Sequence, residues 1–199
     1  MAWRTVFVVP ALIAFIAGYV YLYHCDDSPK GDFTELIRQQ QIEMVSPFMA
    51  LFSAIQNRNV VLLLVQYACC FGIEIIMTNA TALYMREEFG QSTASAAAIA
   101  STFGFMNLFA RGLGGYGSDF WNSRFGTHGR VGWQSFTLFM EGVGIVIFAY
   151  ADTLIGSIFS LIFLSLWVQC AEGSTYGIVP YVNRRFTGKY FWTTTPSER

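Results

Sequence analysis

The sequence is poor in charge. Only 13% of its 199 residues are Asp, Glu, Lys or Arg, about half the fraction usual in a soluble domain. The net charge is −1, which leaves no electrostatic case for binding nucleic acid. Histidine occurs twice, at His24 and His128, far apart and in segments that read as loops. Cysteine occurs four times, at Cys25, Cys69, Cys70 and Cys170, without the spacing of a metal site. Three of the four lie inside apolar runs, so they read as buried thiols rather than a disulfide framework. Zinc, haem and nucleotide motifs are missing, as are a nucleophile–base pair and a metal cluster. Neither a cofactor nor a membrane enzyme is therefore expected.

What the chain has in quantity is apolar surface: 54% hydrophobic and 17% aromatic residues. These fall into five segments at 5–23, 60–84, 94–117, 131–151 and 154–181. Each is close to the ~20 residues that cross a hydrocarbon core. The expected architecture is an all-α membrane protein of about five transmembrane helices. A signal peptide is the rival reading of the first segment, because Arg4 precedes it. However, Tyr21-Leu-Tyr-His-Cys25 offers no small-residue cleavage site, and Pro10 is tolerable in a membrane helix. Residues 24–59 read as a polar connector with a short amphipathic surface helix over 35–43. Asn79-Ala-Thr81 is a formal glycosylation sequon, but inside a membrane helix it is expected to stay unmodified.

Basic residues set the orientation. Lys30, Arg38 and Arg58 lie in the connector, Arg124 and Arg130 in a loop at 118–130, and Arg184, Arg185, Lys189 and Arg199 in the tail. Arg4 and Arg86 are on the other side, and the larger group is expected in the cytoplasm. Arg4 alone favours the opposite placement of the first span.

One arginine belongs to neither group. Arg111 sits inside the third apolar segment, where an insertion scale assigns a cost of roughly 2.5–3.5 kcal/mol. Gly104, Asn107, Arg111, Gly114, Gly115 and Ser118 recur at intervals of three and four, forming one small, polar stripe. Phe105, Phe109, Leu113 and Tyr116 form a bulky one. The first admits a close neighbouring helix and the second suits lipid, so Arg111 is expected to point inward.

The stretch Phe103-Gly-Phe-Met-Asn-Leu-Phe-Ala-Arg-Gly-Leu-Gly-Gly-Tyr-Gly-Ser-Asp119 resembles the eighth helix of nitrate/nitrite porters of the major facilitator superfamily, in the plant, algal and fungal branch. The resemblance runs to about Gly188. It makes 1–23 similar to helix six, 24–59 similar to the central cytoplasmic loop, and 60–188 similar to helices seven to ten. Residues 189–199 form a divergent cytoplasmic tail. Helices one to five, eleven and twelve have no counterpart in these 199 residues.

The resemblance implies a multi-pass protein of the plasma membrane. It implies transport of nitrate or nitrite by alternating access, coupled to protons. A fragment of this kind is expected to be inactive alone, needing the other transporter half or a full-length porter. A non-transporting fragment that binds or regulates such a porter is the alternative.

The resemblance also implies site residues. The motif arginine, here Arg111, binds the anion: a guanidinium fork matches a planar oxoanion. In the family it pairs with a second arginine on helix two, which is not in this chain. Tyr67 and Phe71 match a cavity-lining Tyr-x-x-x-Phe. Asn107, one turn before Arg111, either donates to the anion or makes an interhelical bond. Glu74, Glu141 and Glu172 are intramembrane carboxyls that could carry protons, balance Arg111 or join helices. Gly115 and Asp119, with Arg124 and Arg130, resemble the gating loop between helices eight and nine.

Overall fold

In a computed structural model, the structure describes residues 5–25, Arg38 and 47–182. All regular structure among them is helical: α1 (Val8–His24), α2 (Pro47–Gln56), α3 (Arg58–Phe89), α4 (Thr93–Phe125), α5 (Thr127–Ala149) and α6 (Leu154–Val182). The surface helix expected at 35–43 and the divergent tail lie outside the described residues, as does most of the connector.

Four helices, α3 to α6, are long and apolar enough to cross a membrane; α1 is a shorter apolar helix of 17 residues. It belongs to a separate unit of the chain and buries none of its side chains. At 1.5 Å per residue α3 and α4 are each about 50 Å long, well beyond the apolar segments read from sequence, because their polar ends continue the helix past the hydrocarbon.

The helix ends follow from local chemistry. Asn57 caps α3, its Oδ1 accepting from the Asn59 amide at 3.0 Å. Gly90, at φ 61°, closes it in the left-handed region. Ser92 caps α4 through the Ser95 amide at 3.2 Å. The next break is also a glycine, Gly126 at φ 63°, and α5 starts at the following residue.

The observed helix bounds correct the expectations for the loops. The gating loop expected over 118–130 is helix up to Phe125: Gly115, Asp119 and Arg124 lie on α4, and Arg130 is on the first turns of α5. Glycine-rich composition at 114–117 suggests a helix end, but those glycines serve helix packing. The histidines are not in loops either, since His24 ends α1 and His128 opens α5.

Helix α6 is the hub. It packs on α3, α4 and α5, and half of its most apolar stretch is buried, against 6% for α3. Cys70 and Met85 of α3, Ala96 and Phe103 of α4, and Leu161, Leu164, Val168 and Ala171 of α6 form the core. The α4–α6 contact is made backbone to backbone. A Cβ at Gly114 would strike the main chain of Cys170, and one at Gly173 the main chain of Arg111. Gly117 leaves room for the Trp133 ring of α5, whose Nε1 donates to the Gly114 carbonyl at 3.0 Å.

The two stripes of α4 separate largely as expected. Phe105, Phe109, Leu113 and Tyr116 are exposed, Gly114 and Ser118 are buried, and Asn107, Arg111 and Gly115 are half-buried. Gly104 departs from the stripe and is exposed. Phe103 and Ala110, both fully buried, carry the packing in its place.

Candidate functional site

Arg111 lies about 3 Å from the midpoint of α4 along its axis, and Glu74 lies at the midpoint of α3, by the 1.5 Å rise. Glu172 is about four residues past the centre of α6. Three helices therefore bring charge to a common depth. The close contact at Gly173 sets the spacing: with no side chain there, α6 rests on the backbone of Arg111 itself, and the neighbouring Glu172 reaches the guanidinium.

The Arg111 fork is heavily engaged. Its Nη2 donates to Glu74 Oε2 at 2.9 Å and also to Glu172 Oε2. Its Nε donates to Gln169 Oε1 at 2.9 Å. Gln169 turns its amide nitrogen to Glu74 Oε1 at 2.9 Å, and Asn107 Nδ2 reaches the same oxygen at 3.3 Å. Glu74 thus accepts from three side chains. Glu172 accepts from Arg111 through Oε2, and its Oε1 is buried without a hydrogen-bond partner.

Exposure separates these groups. Arg111 is 31% exposed and Glu74 13%, whereas Glu172 is fully sealed. One face of the cluster is therefore open. One cation against two carboxylates also leaves its formal charge at about −1 when both are ionised, an arrangement that like-charge repulsion disfavours.

Tyr67 and Phe71 stack on one face of α3, with ring centroids 5.8 Å apart and planes 7° from parallel. Phe71 is exposed. The Tyr67 hydroxyl is 2.8 Å from that of Tyr176 on α6. Tyr176 lies four residues after Glu172, so the tyrosine pair sits one turn from the ionic cluster.

Glu141 does not join the others. It is 4% exposed, with Oε2 lacking a hydrogen-bond partner, and it lies beside the Cys70 thiol. Its α5 face also carries Gln134 and Thr137, both buried. Gln134 Nε2 donates to Thr175 Oγ1 at 3.0 Å, and Gln66 Nε2 donates to the same oxygen at 3.2 Å. This amide–hydroxyl junction of α3, α5 and α6 was not foreseen. Its signal is the period-four spacing of polar residues on otherwise apolar helices.

A second ionic group sits at the helix ends. Arg130 Nη2 meets Asp119 Oδ1 at 2.6 Å, and Nη1 donates to Ser118 Oγ at 3.2 Å. The guanidinium carbon lies 4.9 Å from the centre of the Tyr181 ring. At the same end Asn57 Nδ2 donates to the Val182 carbonyl at 3.4 Å. Arg124 is outside this group, stacking over Phe120 at 4.6 Å.

Four packed, membrane-length helices that hold an arginine and its carboxylates at mid-depth define a polytopic membrane protein with a buried polar site. The chain belongs to the Major Facilitator Superfamily, whose family profile matches residues 1–189. Among curated proteins, it is 32% identical over 187 residues to high affinity nitrate transporter 2.5 of Arabidopsis thaliana, covering 94% of this chain and 37% of that protein. It is 32% identical to high-affinity nitrate transporter 2.3 of Oryza sativa subsp. japonica, with 94% and 36% covered. It is 36% identical over 134 residues to the nitrate/nitrite transporter NrtP of a Picosynechococcus strain, with 65% and 24% covered. The chain spans a little over a third of the length of the plant relatives it matches. No solved structure matches it.

Proposed function

We propose that these residues form part of a secondary transporter for nitrate or nitrite, and that Arg111 is its anion clamp. One observation carries the reading: a half-open arginine at mid-depth, held by polar side chains from two neighbouring helices, α3 and α6. A fixed structural ion pair needs only one carboxylate. This arginine has two carboxylates and an open face, which suits a guanidinium that exchanges partners. The names of the relatives supply the anion.

In such a carrier two helical bundles rock about a midplane site. Residues 1–23 and 60–188 would contribute spans to one part of it, with 24–59 as cytoplasmic connector and 189–199 as cytoplasmic tail. Tyr67 and Phe71 would wall the anion path. Arg130 with Asp119 would hold the cytoplasmic end in one state, and Gly115 would let α4 shift against α6. Coupling to protons would use the intramembrane carboxyls. The plasma membrane is the proposed location.

Alternating access requires a second bundle, so these 199 residues are not expected to transport alone. Reconstituted in liposomes, the chain should give no saturable flux of labelled nitrate. Mixed with a complete porter, it should either leave flux unchanged or modulate it by association. Saturable, proton-dependent flux from the chain by itself would overturn the requirement for the other half.

A further inference from the structure

The Arg111 guanidinium spends two of its three nitrogens on the cluster. Nε donates to Gln169, and Nη2 donates to Glu74 and Glu172. Nη1 makes no hydrogen bond among the described residues, and with Arg111 31% exposed it is the open corner of the group. A second unspent donor stands one turn along α6 from Glu172, about 6 Å by the helix rise. The hydroxyls of Tyr67 and Tyr176 are 2.8 Å apart, and either can donate to the other. Two phenols carry two O–H protons and this contact uses one. Neither hydroxyl has a further partner among the described residues, so the pair keeps one O–H free. The charges of Arg111 and Glu172 both act on Tyr67, which places the pair beside the cluster.

We propose that Tyr176 selects nitrate over nitrite, by donating its hydroxyl proton to the third oxygen of an anion seated on the open corner of Arg111. The proposal rests on the nitrate reading above and deepens it: it names the three-oxygen ion as the preferred substrate and adds a residue of α6 to the site.

The shapes of the two anions make the difference. Nitrate on the guanidinium gives two oxygens to the Nη1–Nη2 edge, with one carboxylate yielding its N–H, and the third oxygen points away from the arginine. Nitrite is bent and has two oxygens. Where nitrate carries its third, nitrite presents only the nitrogen lone pair, set back by a bond length from a donor placed for the oxygen. A halide has one atom to offer and cannot span the two donors. A second cation here would favour every anion alike, whereas a hydroxyl in a fixed place favours one shape.

Of the two phenols, Tyr176 is the one free to face the anion. Tyr67 is pinned, its ring stacked on Phe71 at 7° from parallel. Tyr176 meets Tyr67 edge-on at 5.9 Å and is 56% exposed. With Tyr67 donating into the Tyr176 oxygen, the Tyr176 proton turns outward, and an O–H that also accepts is the stronger donor.

The test is calorimetric titration of the full 199-residue chain in lipid nanodiscs with nitrate, nitrite and chloride at one pH. The parent chain should bind nitrate roughly tenfold more tightly than nitrite, and chloride more weakly than either. The factor is modest because water satisfies an exposed hydroxyl when nitrite is bound. Tyr176→Phe keeps the ring and removes the donor. It should weaken nitrate about tenfold, leave nitrite within about twofold, and so erase the preference. Tyr67→Phe should retain the preference, and Tyr116→Phe, on the exposed stripe of α4, should change neither affinity.

A nitrate-to-nitrite ratio unchanged in Tyr176→Phe, or one lost in Tyr67→Phe instead, would overturn the assignment to Tyr176 and leave the clamp standing. Equal weakening of both anions in Tyr176→Phe, or a parent chain that binds both alike, would overturn selection by the third oxygen. No binding of nitrate or nitrite would overturn the nitrate reading itself, and this inference with it.

Discussion

Two of the described arginines bridge helices, Arg111 and Arg130, and they do so differently. Arg130, at the helix ends, is 8% exposed and meets one carboxylate, Asp119, which is itself 71% exposed. Charge is matched one to one. A hydroxyl and an aromatic ring complete the shell, and Gly177 lies close against Ser118 and the guanidinium. Arg111 lies deeper in the bundle yet is more open, at 31%, and meets two carboxylates instead of one. A charge-matched pair with a buried guanidinium is a joint between helices. An over-supplied, half-open one has negative partners to spare and room for a third. Position along the helix alone would have suggested the reverse, since the end of a bundle is where solvent reaches first.

The largest expected effect separates the two directly. Arg111→Ala should weaken nitrate binding by more than about a hundredfold, because no local charge would offset the desolvated anion. Arg111→Lys keeps the charge but loses the fork, and should cost roughly ten- to a hundredfold. Arg130→Ala should leave binding within about threefold and instead lower thermal stability by about 1–2 kcal/mol, a modest loss since Asp119 is already solvated. Calorimetric titration and thermal unfolding of the same samples check both halves. If Arg130→Ala abolished binding while Arg111→Lys bound normally, the roles would have to be exchanged.

A second change sharpens the comparison by moving Arg111 without altering its charge. Gly173→Val puts a branched side chain against the Arg111 main chain. Overpacking of this kind costs about 1–3 kcal/mol and should separate α4 from α6. Stability and nitrate affinity should fall together, whereas Gly142→Val, at a site with open space around it, should change neither. Retained affinity in a stably folded Gly173→Val chain would mean that the helix contact does not position the cluster.

The smallest effect concerns the tyrosine pair. Tyr67→Phe removes the hydroxyl contact with Tyr176 but keeps the stacking on Phe71. The loss of one half-exposed hydrogen bond is worth about 0.5–1 kcal/mol, so affinity should change by no more than about fivefold. A larger loss would mean that the hydroxyl touches the anion directly.

Several features of the molecule were legible in the chain itself. Apolar runs near 20 residues announce membrane helices, because an unpaired backbone cannot sit in lipid. The stripes on α4 separate small from bulky residues, and the cost of Arg111 in the membrane points it inward. The helix ends were less legible. Gly126 alone breaks the chain between α4 and α5, and composition suggested a loop of a dozen residues where the backbone continues as helix.

Pairing across helices was the part that only tertiary structure decided. Glu74, Glu141 and Glu172 look alike in sequence, each a lone carboxyl in an apolar run. Two of them meet Arg111, while Glu141 faces Cys70 in a separate buried layer. Helical periodicity fixes the face on which a side chain lies, but not the axial shift or rotation of one helix against the next. Those are set by close contacts such as Gly173 on Arg111 and Gly114 on Cys170. The choice of which carboxylate balances the arginine, and which residues surround an anion, follows from that packing.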